Sequence, residues 1–190
     1  MSPGGAPSQL AQEAQDICQA LLRIDTTNPP GNERPAADYL AAALREAGYE
    51  PVLLESAPGR ANLVCRRRGS GREPPLLLTA HLDVVEAIGS EWRHPPFAGA
   101  IAEECLWGRG AIDMKNMAAM CTAVFRQLAR ERAALSRDLI FAAVADEEAG
   151  CDLGSRWLVE NHADLVAAEY AIGESGGYSL HVGTTTFYPV

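Results

Sequence analysis

The sequence predicts an α/β domain built as a three-layer open sheet with helices on both faces. Three short apolar runs carry that prediction: residues 76–80, 139–145 and 170–173, each unalternated and each separated from the next by a helical pattern. A strand that is apolar on both faces is one buried on both faces, the condition of a parallel sheet covered by helices. The intervening helical patterns, residues 116–132 (rich in Met and Ala) and 154–161, complete a β-α-β-α-β order.

Before these runs, Leu10, Ala14, Ile17, Leu21 and Ile24 recur at three- and four-residue steps, the period of a helix that buries one face. The run Asp25-Thr-Thr-Asn-Pro-Pro-Gly31 breaks it. A second helical pattern over residues 33–47 turns Ala36, Ala37, Leu40 and Leu44 inward and stops at Gly48, the residue expected at a left-handed C-terminal cap. Short strands are expected over residues 52–55 and 62–67. The last stretch, residues 179–190, reads as strand material broken near Gly183. It ends on Tyr188-Pro189-Val190 without a closing element, so the domain is expected to be incomplete at its C-terminus. No internal repeat or low-complexity segment interrupts the pattern.

At 190 residues and 47% hydrophobic, the chain has enough apolar material for one sizeable core. Sixteen basic against 25 acidic side chains give a formal charge of −9. That balance argues against a nucleic-acid or anionic-membrane partner, since both need clustered Lys and Arg. The run Arg66-Arg67-Arg68 reads as a solvated strand end, and the carboxylate surplus suits a protein that binds divalent cations. Cys18, Cys65, Cys105, Cys121 and Cys151 are odd in number, scattered and without a CxxC pair, so they are read as reduced thiols. The N-terminus is neutral and turn-like, and no apolar run reaches the length of a signal core or a membrane span. A cytoplasmic location is the expectation.

In open α/β sheets ligands bind at the carboxyl ends of the strands, and each apolar run here is followed at once by a candidate metal ligand. His81 follows the first, Asp146-Glu147-Glu148 the second and Glu174 the third. The fold would thus gather residues 93 positions apart into one crevice. Asp113 is a fourth candidate, in the glycine-punctuated loop Gly108-Arg-Gly-Ala-Ile-Asp-Met-Lys115. Each has a plainer reading. A strand-end His is more often an ordinary hydrogen-bonded residue, Asp113 can equally cap the helix that follows, and both 146–150 and Gly173-Glu-Ser-Gly-Gly177 have the composition of solvated turns. Against this, residues i and i+2 of extended backbone share a side, so Asp83 can take one ring nitrogen of His81 and leave the other for a metal. Adjacent Glu147 and Glu148 point to opposite sides, so one can coordinate while the other faces substrate. Imidazole with carboxylates suits zinc, and a bridging carboxylate would hold two ions about 3.5–4 Å apart. His94, His162 and His181 fit core or surface roles better.

These residues carry a resemblance to the aminoacylase, acetylornithine deacetylase, desuccinylase and glutamate-carboxypeptidase family of co-catalytic zinc hydrolases. It runs from about Ala11 to Gly177. The matching motifs are Arg23-Ile-Asp-Thr-Thr-Asn-Pro-Pro-Gly-Asn-Glu33, Thr79-Ala-His-Leu-Asp-Val-Val85, Trp92 with Pro95-Pro-Phe97, the loop of Asp113, Asp146-Glu-Glu-Ala-Gly150 and Glu174. Glu86, Asn116 and Ser175 depart from the usual Pro, Gly and Gly.

The resemblance implies that His81 and Glu174 hold one zinc, that Asp113 bridges both ions, and that Glu148 holds the second with a His from later in a longer chain. It makes Glu147 the general base and Asp83 the residue that orients His81. Zinc is the expected metal, with cobalt or manganese as alternatives. The implied reaction is hydrolysis of an amide or peptide bond in a small N-acyl amino acid or short peptide. Residues 1–190 would be the N-terminal part of the catalytic domain and inactive alone, with a lid and dimerisation domain and the rest of the catalytic domain elsewhere. Homodimerisation would run through that further domain. Two rivals stay open: a non-catalytic metal- or peptide-binding relative, which a Glu147 turned away from the cluster would favour, and a thiol enzyme using Cys151.

Overall fold

A computed structural model describes residues 8–174 and 180–187. The first helix, α1 (Gln9–Leu22), is capped at Ser8, whose hydroxyl accepts from the Ala11 N–H, and buries Ile17, Cys18, Leu21 and Leu22. The second, α2 (Arg34–Glu46), carries Pro in its first turn and ends before Gly48 at φ +85, a left-handed backbone that glycine adopts most readily. Strands β1 (Val52–Ala57) and β2 (Arg60–Arg67) form an antiparallel hairpin. The central strand β3 (Leu76–His81) is followed by a small hairpin of β4 (Ala100–Ala102) and β5 (Cys105–Trp107), then by α3 (Lys115–Arg130). Strand β6 (Leu139–Val144), helices α4 (Ser155–Asn161) and α5 (Ala163–Val166), and β7 (Tyr170–Ile172) follow. A last hairpin joins β8 (Leu180–Val182) to β9 (Thr185–Phe187), turning at Gly183 as the broken strand pattern predicts. The positions 175–177 and 188–190 lie outside the described residues.

The main sheet has the order β1-β2-β6-β3-β7, with β3 parallel to β6 and β7 and the β1–β2 hairpin joined antiparallel through β2. The sheet is therefore mixed, and only the three apolar runs form its parallel part. Its two faces have separate cores. On one, α1, α2 and α3 pack Leu21, Leu40 and Phe125 against Leu63, Ala80, Phe141 and Ala143. On the other, Leu158 of α4 covers Val64, Ile140, Ala142 and Val144, with Trp157 and Leu165 at its margin. Alternate residues of β6 thus feed opposite cores, which explains why the run is apolar throughout.

The chain leaves β3 for α3 on one face and leaves β6 for α4 on the other. Where neighbouring parallel strands send their connections to opposite faces, a crevice opens between their carboxyl ends. His81 and the 146–148 turn flank that crevice.

Candidate metal and catalytic site

His81 is buried at the last position of β3. Its Nδ1 faces only acceptors: the Asp83 carbonyl oxygen at 2.9 Å and the Asp83 carboxylate at 3.5 Å. That nitrogen therefore carries the proton, and Nε2 points into the crevice. There it meets Asp113 Oδ1 at 2.9 Å, Glu174 Oε2 at 3.5 Å and Glu147 Oε2 at 3.9 Å. His81, Asp113 and Glu174 each bring a ligand atom within 4.8 Å of the others. Glu148 is half-buried beside them and feels Asp113 and His81, but it stands outside this group of three. Asp113 does not cap α3: Met114 occupies the cap position without a side-chain hydrogen bond, and the Asp113 carboxylate turns instead to His81 Nε2 in the crevice.

The backbone explains the placement. Asp83 lies two residues beyond β3, fully buried, and its carboxylate accepts the N–H groups of Glu147 and Glu148, both at 3.0 Å, and the Asn28 amide at 2.8 Å. The ring of His81 is thus tied first to the Asp83 carbonyl, while the Asp83 carboxylate is drawn chiefly to the amides of the neighbouring turn. Lys115 is buried too, and its ammonium donates to the Leu21 and Ile24 carbonyls at the end of α1, at 3.1 and 2.7 Å. This fastens the loop of Asp113 to the end of that helix. Burial brings its pKa down to about 8 despite the attraction of Asp25.

Charge is concentrated here. Burial alone would lower the pKa of His81, but Asp83, Asp113 and Glu174 outweigh it and lift the imidazole to about 10. Glu148 is raised by burial and by Asp113, and Glu174 by burial and by Glu147 and Asp113, against the pull of His81. Asp83 runs the other way: burial is outweighed by His81, Asn28 and the two amides, and its carboxyl is held below the ordinary range. A divalent ion fits this donor set. With Nδ1 held as a donor, Nε2 is the nitrogen that would give up its proton to a metal, and the converging carboxylates call for a cation.

The sequence reading passed over a layer of side chains behind the acidic turn: Asn28, Glu33 and Arg60. Two of them stand in the 23–33 motif, and Arg60 is the lone charge at the start of a buried strand. Either fact could have found them. Cys151 is half-buried at φ +69 and approaches the Glu147 carbonyl through sulfur at 3.9 Å. His94 meets Trp107 edge to face, with ring centroids 5.0 Å apart, and His162 sits at the end of α4 beside Trp157. A concavity of about 530 Å³ between α1, α2 and Arg126 shares no residue with the carboxylate cluster. No helix among them is long and apolar enough to cross a membrane.

Comparison with known proteins gives a family and a fold. The profile of Peptidase family M20/M25/M40 matches residues 77–187. The succinyl-diaminopimelate desuccinylase of Methylobacterium radiotolerans is 39% identical over 148 residues, covering 75% of this chain and 36% of the relative. That of Methylocella silvestris is 36% identical over 159 residues, covering 79% and 40%. The chain thus spans well under half the length of these relatives. Among solved structures, the M20 family metallo-carboxypeptidase Sso-CP2 from Sulfolobus solfataricus superposes with a TM-score of 0.75 at 21% identity, covering 87% of this chain and 38% of that one. Human carnosine dipeptidase 1 superposes at 0.67 with 19% identity, covering 92% and 42%. At these identities the structures speak to fold.

Proposed function

The chain belongs to peptidase family M20/M25/M40, and from that premise we propose that its protein hydrolyses an amide bond in a small N-acyl amino acid or short peptide with two divalent metal ions, zinc first among them. The reading rests on one observation: His81 Nε2, its partner nitrogen committed to the Asp83 carbonyl, faces oxygens of Asp113, Glu147 and Glu174 within 3.9 Å. The desuccinylase relatives make N-succinyl amino acids the first substrates to try.

In this reading His81, Asp113 and Glu174 would hold one ion, and Glu148 with Asp113 would contribute to holding a second. When bound, the ions supply Lewis acidity and lower the pKa of water toward neutrality. Glu147 takes the proton of the attacking water as the carbon–oxygen bond forms, and returns it to the leaving nitrogen as the carbon–nitrogen bond breaks. Asp83 holds the turn that presents Glu147 and fixes the tautomer of His81. Glu147 facing the cluster favours an enzyme over a binding relative, since binding alone does not require a base there. A lid and dimerisation domain, if the longer protein follows the family pattern, would supply most of the acyl-group specificity.

Glu147→Gln and Glu148→Gln separate the two carboxylate roles. In the intact protein, Glu147→Gln should lower turnover by about 10²–10⁴-fold and leave the metal content measured by elemental analysis near normal. Glu148→Gln should lower the metal content. Equal metal loss in both variants would sink the assignment of base and ligand.

A further inference from the structure

Behind the acidic turn, four separate segments meet in a buried polar network that touches no solvent-facing part of the crevice. Arg60, at the start of β2, donates Nε and Nη2 to the two oxygens of Glu33 at 2.7 and 2.8 Å, a bidentate pair. The same Nη2 donates to Asp146 Oδ1 at 2.9 Å, and Nη1 donates to the Pro30 carbonyl at 3.1 Å. Asn28 closes the circuit: its amide donates to Asp146 Oδ1 at 3.0 Å and to Asp83 Oδ2 at 2.8 Å. Glu33 and Asp83 are fully buried, and Arg60, Asn28 and Asp146 nearly so.

The network ends on backbone. Asp146 has φ +64, a left-handed conformation that a side chain adopts only when its surroundings hold it there. Its N–H approaches Glu33 Oε1 at 3.4 Å, and its Oδ2 accepts the Leu153 N–H at 3.0 Å, closing the loop that follows Glu148. Asp83 takes the next two amides, those of Glu147 and Glu148. Three successive residues are thus gripped from below, so the two side chains that face the crevice have little freedom of direction. Gly31 makes room for this arrangement: a Cβ there would overlap the Arg60 guanidinium.

We infer that Arg60, acting through Asp146 and Asn28, is the positioning residue that aims Glu147 and Glu148 into the crevice. The inference rests on the reading of Glu148 as a metal ligand. Lysine cannot replace it, because one ammonium cannot span both Glu33 oxygens, the Pro30 carbonyl and Asp146 at once. Arg60→Lys keeps the buried charge while removing the fork, and Asn28→Ala breaks the bridge without leaving a buried charge unpaired.

The test is titration of the metal-free intact protein with Co²⁺, followed by its visible absorption and by calorimetry, with thermal unfolding to verify that each variant is folded. Arg60→Lys should weaken, about 10–100-fold, the Co²⁺ site that Glu148→Gln weakens, and change its absorption bands. In a Glu148→Gln background, Arg60→Lys should then have no further effect on that site. Asn28→Ala should act in the same direction, and it carries the test if Arg60→Lys does not fold. If Glu148→Gln weakens Co²⁺ binding while both positioning variants bind and absorb like the parent, the inference is overturned and the metal reading stands. An undiminished loss from Arg60→Lys in the Glu148→Gln background overturns it too, since the effect would then be general. If Glu148→Gln leaves Co²⁺ binding untouched, both fall.

Discussion

Asp83 never reaches the surface, yet its carboxylate holds the amides of Glu147 and Glu148 and lies 3.5 Å from the His81 ring. Asp83→Asn puts an NH₂ donor where a backbone N–H already points, so one donor must turn away or lose its partner. Its expected effect is a 10–100-fold loss of metal affinity, measured by competition with a chromophoric chelator. Parent-like affinity would show that the turn holds itself. At this scale the sequence was legible in what stands at strand ends: His81, the tandem acids and Glu174 follow apolar runs, and the fold carries them to one crevice. Hydrogen-bond partners were less legible. Residue spacing suggested the Asp83 carboxylate for the His81 ring, whereas the nearest acceptor is the carbonyl of the same residue. Choosing between them depends on amides more than sixty positions away in sequence.

Helices and strands long enough to show their period were readable, with ends displaced by at most two residues, as fraying termini lead one to expect. The elements that escaped are short: β4, β5 and the four residues of α5 offer no full period to detect. Sheet direction also escaped for β1 and β2, because a two-residue connection forces an antiparallel hairpin only once the pairing is known. The join from β6 to α4 depends on Gly154, where a Cβ would overlap the Ala145 carbonyl oxygen. Gly154→Ala should therefore lower stability by about 1–3 kcal/mol in denaturant titration, because backbone rather than a pliable side chain must yield. A parent-like midpoint would mean that the loop moves aside at little cost.

Across the whole molecule the ionisable groups set an alkaline limit. Burial pushes the thiols of Cys65 and Cys121 up to about 12 and that of Cys18 to about 11, the last against the opposing charge of Lys115. Burial likewise raises Tyr39 and Tyr49. The native chain then keeps protons that the unfolded chain releases. Their contribution is complete below the unfolded thiol value, about 8.5, and is lost as pH rises toward 12. Stability should fall over that window in urea titrations, and Cys65→Ala with Cys121→Ala should flatten the fall even where it lowers stability at neutral pH. An unchanged slope in the double variant would assign the alkaline loss to other groups.

The parallel centre of the sheet also governs the order of events in time. The β1–β2 hairpin closes over two residues, but β3 meets β6 only after the chain from 82 to 138 has been drawn into a loop, and β7 joins later still from 170. Closing loops of that length is entropically slow, and the donors of His81, Asp113 and Glu174 meet only when it is done. A metal ion that needs all three has nothing to grip in the folding transition state. Zinc should accordingly leave the refolding rate of the chain nearly unchanged and slow its unfolding, which stopped-flow chevrons with and without the ion would measure. A folding arm accelerated by zinc would place the crevice among the first structures to form.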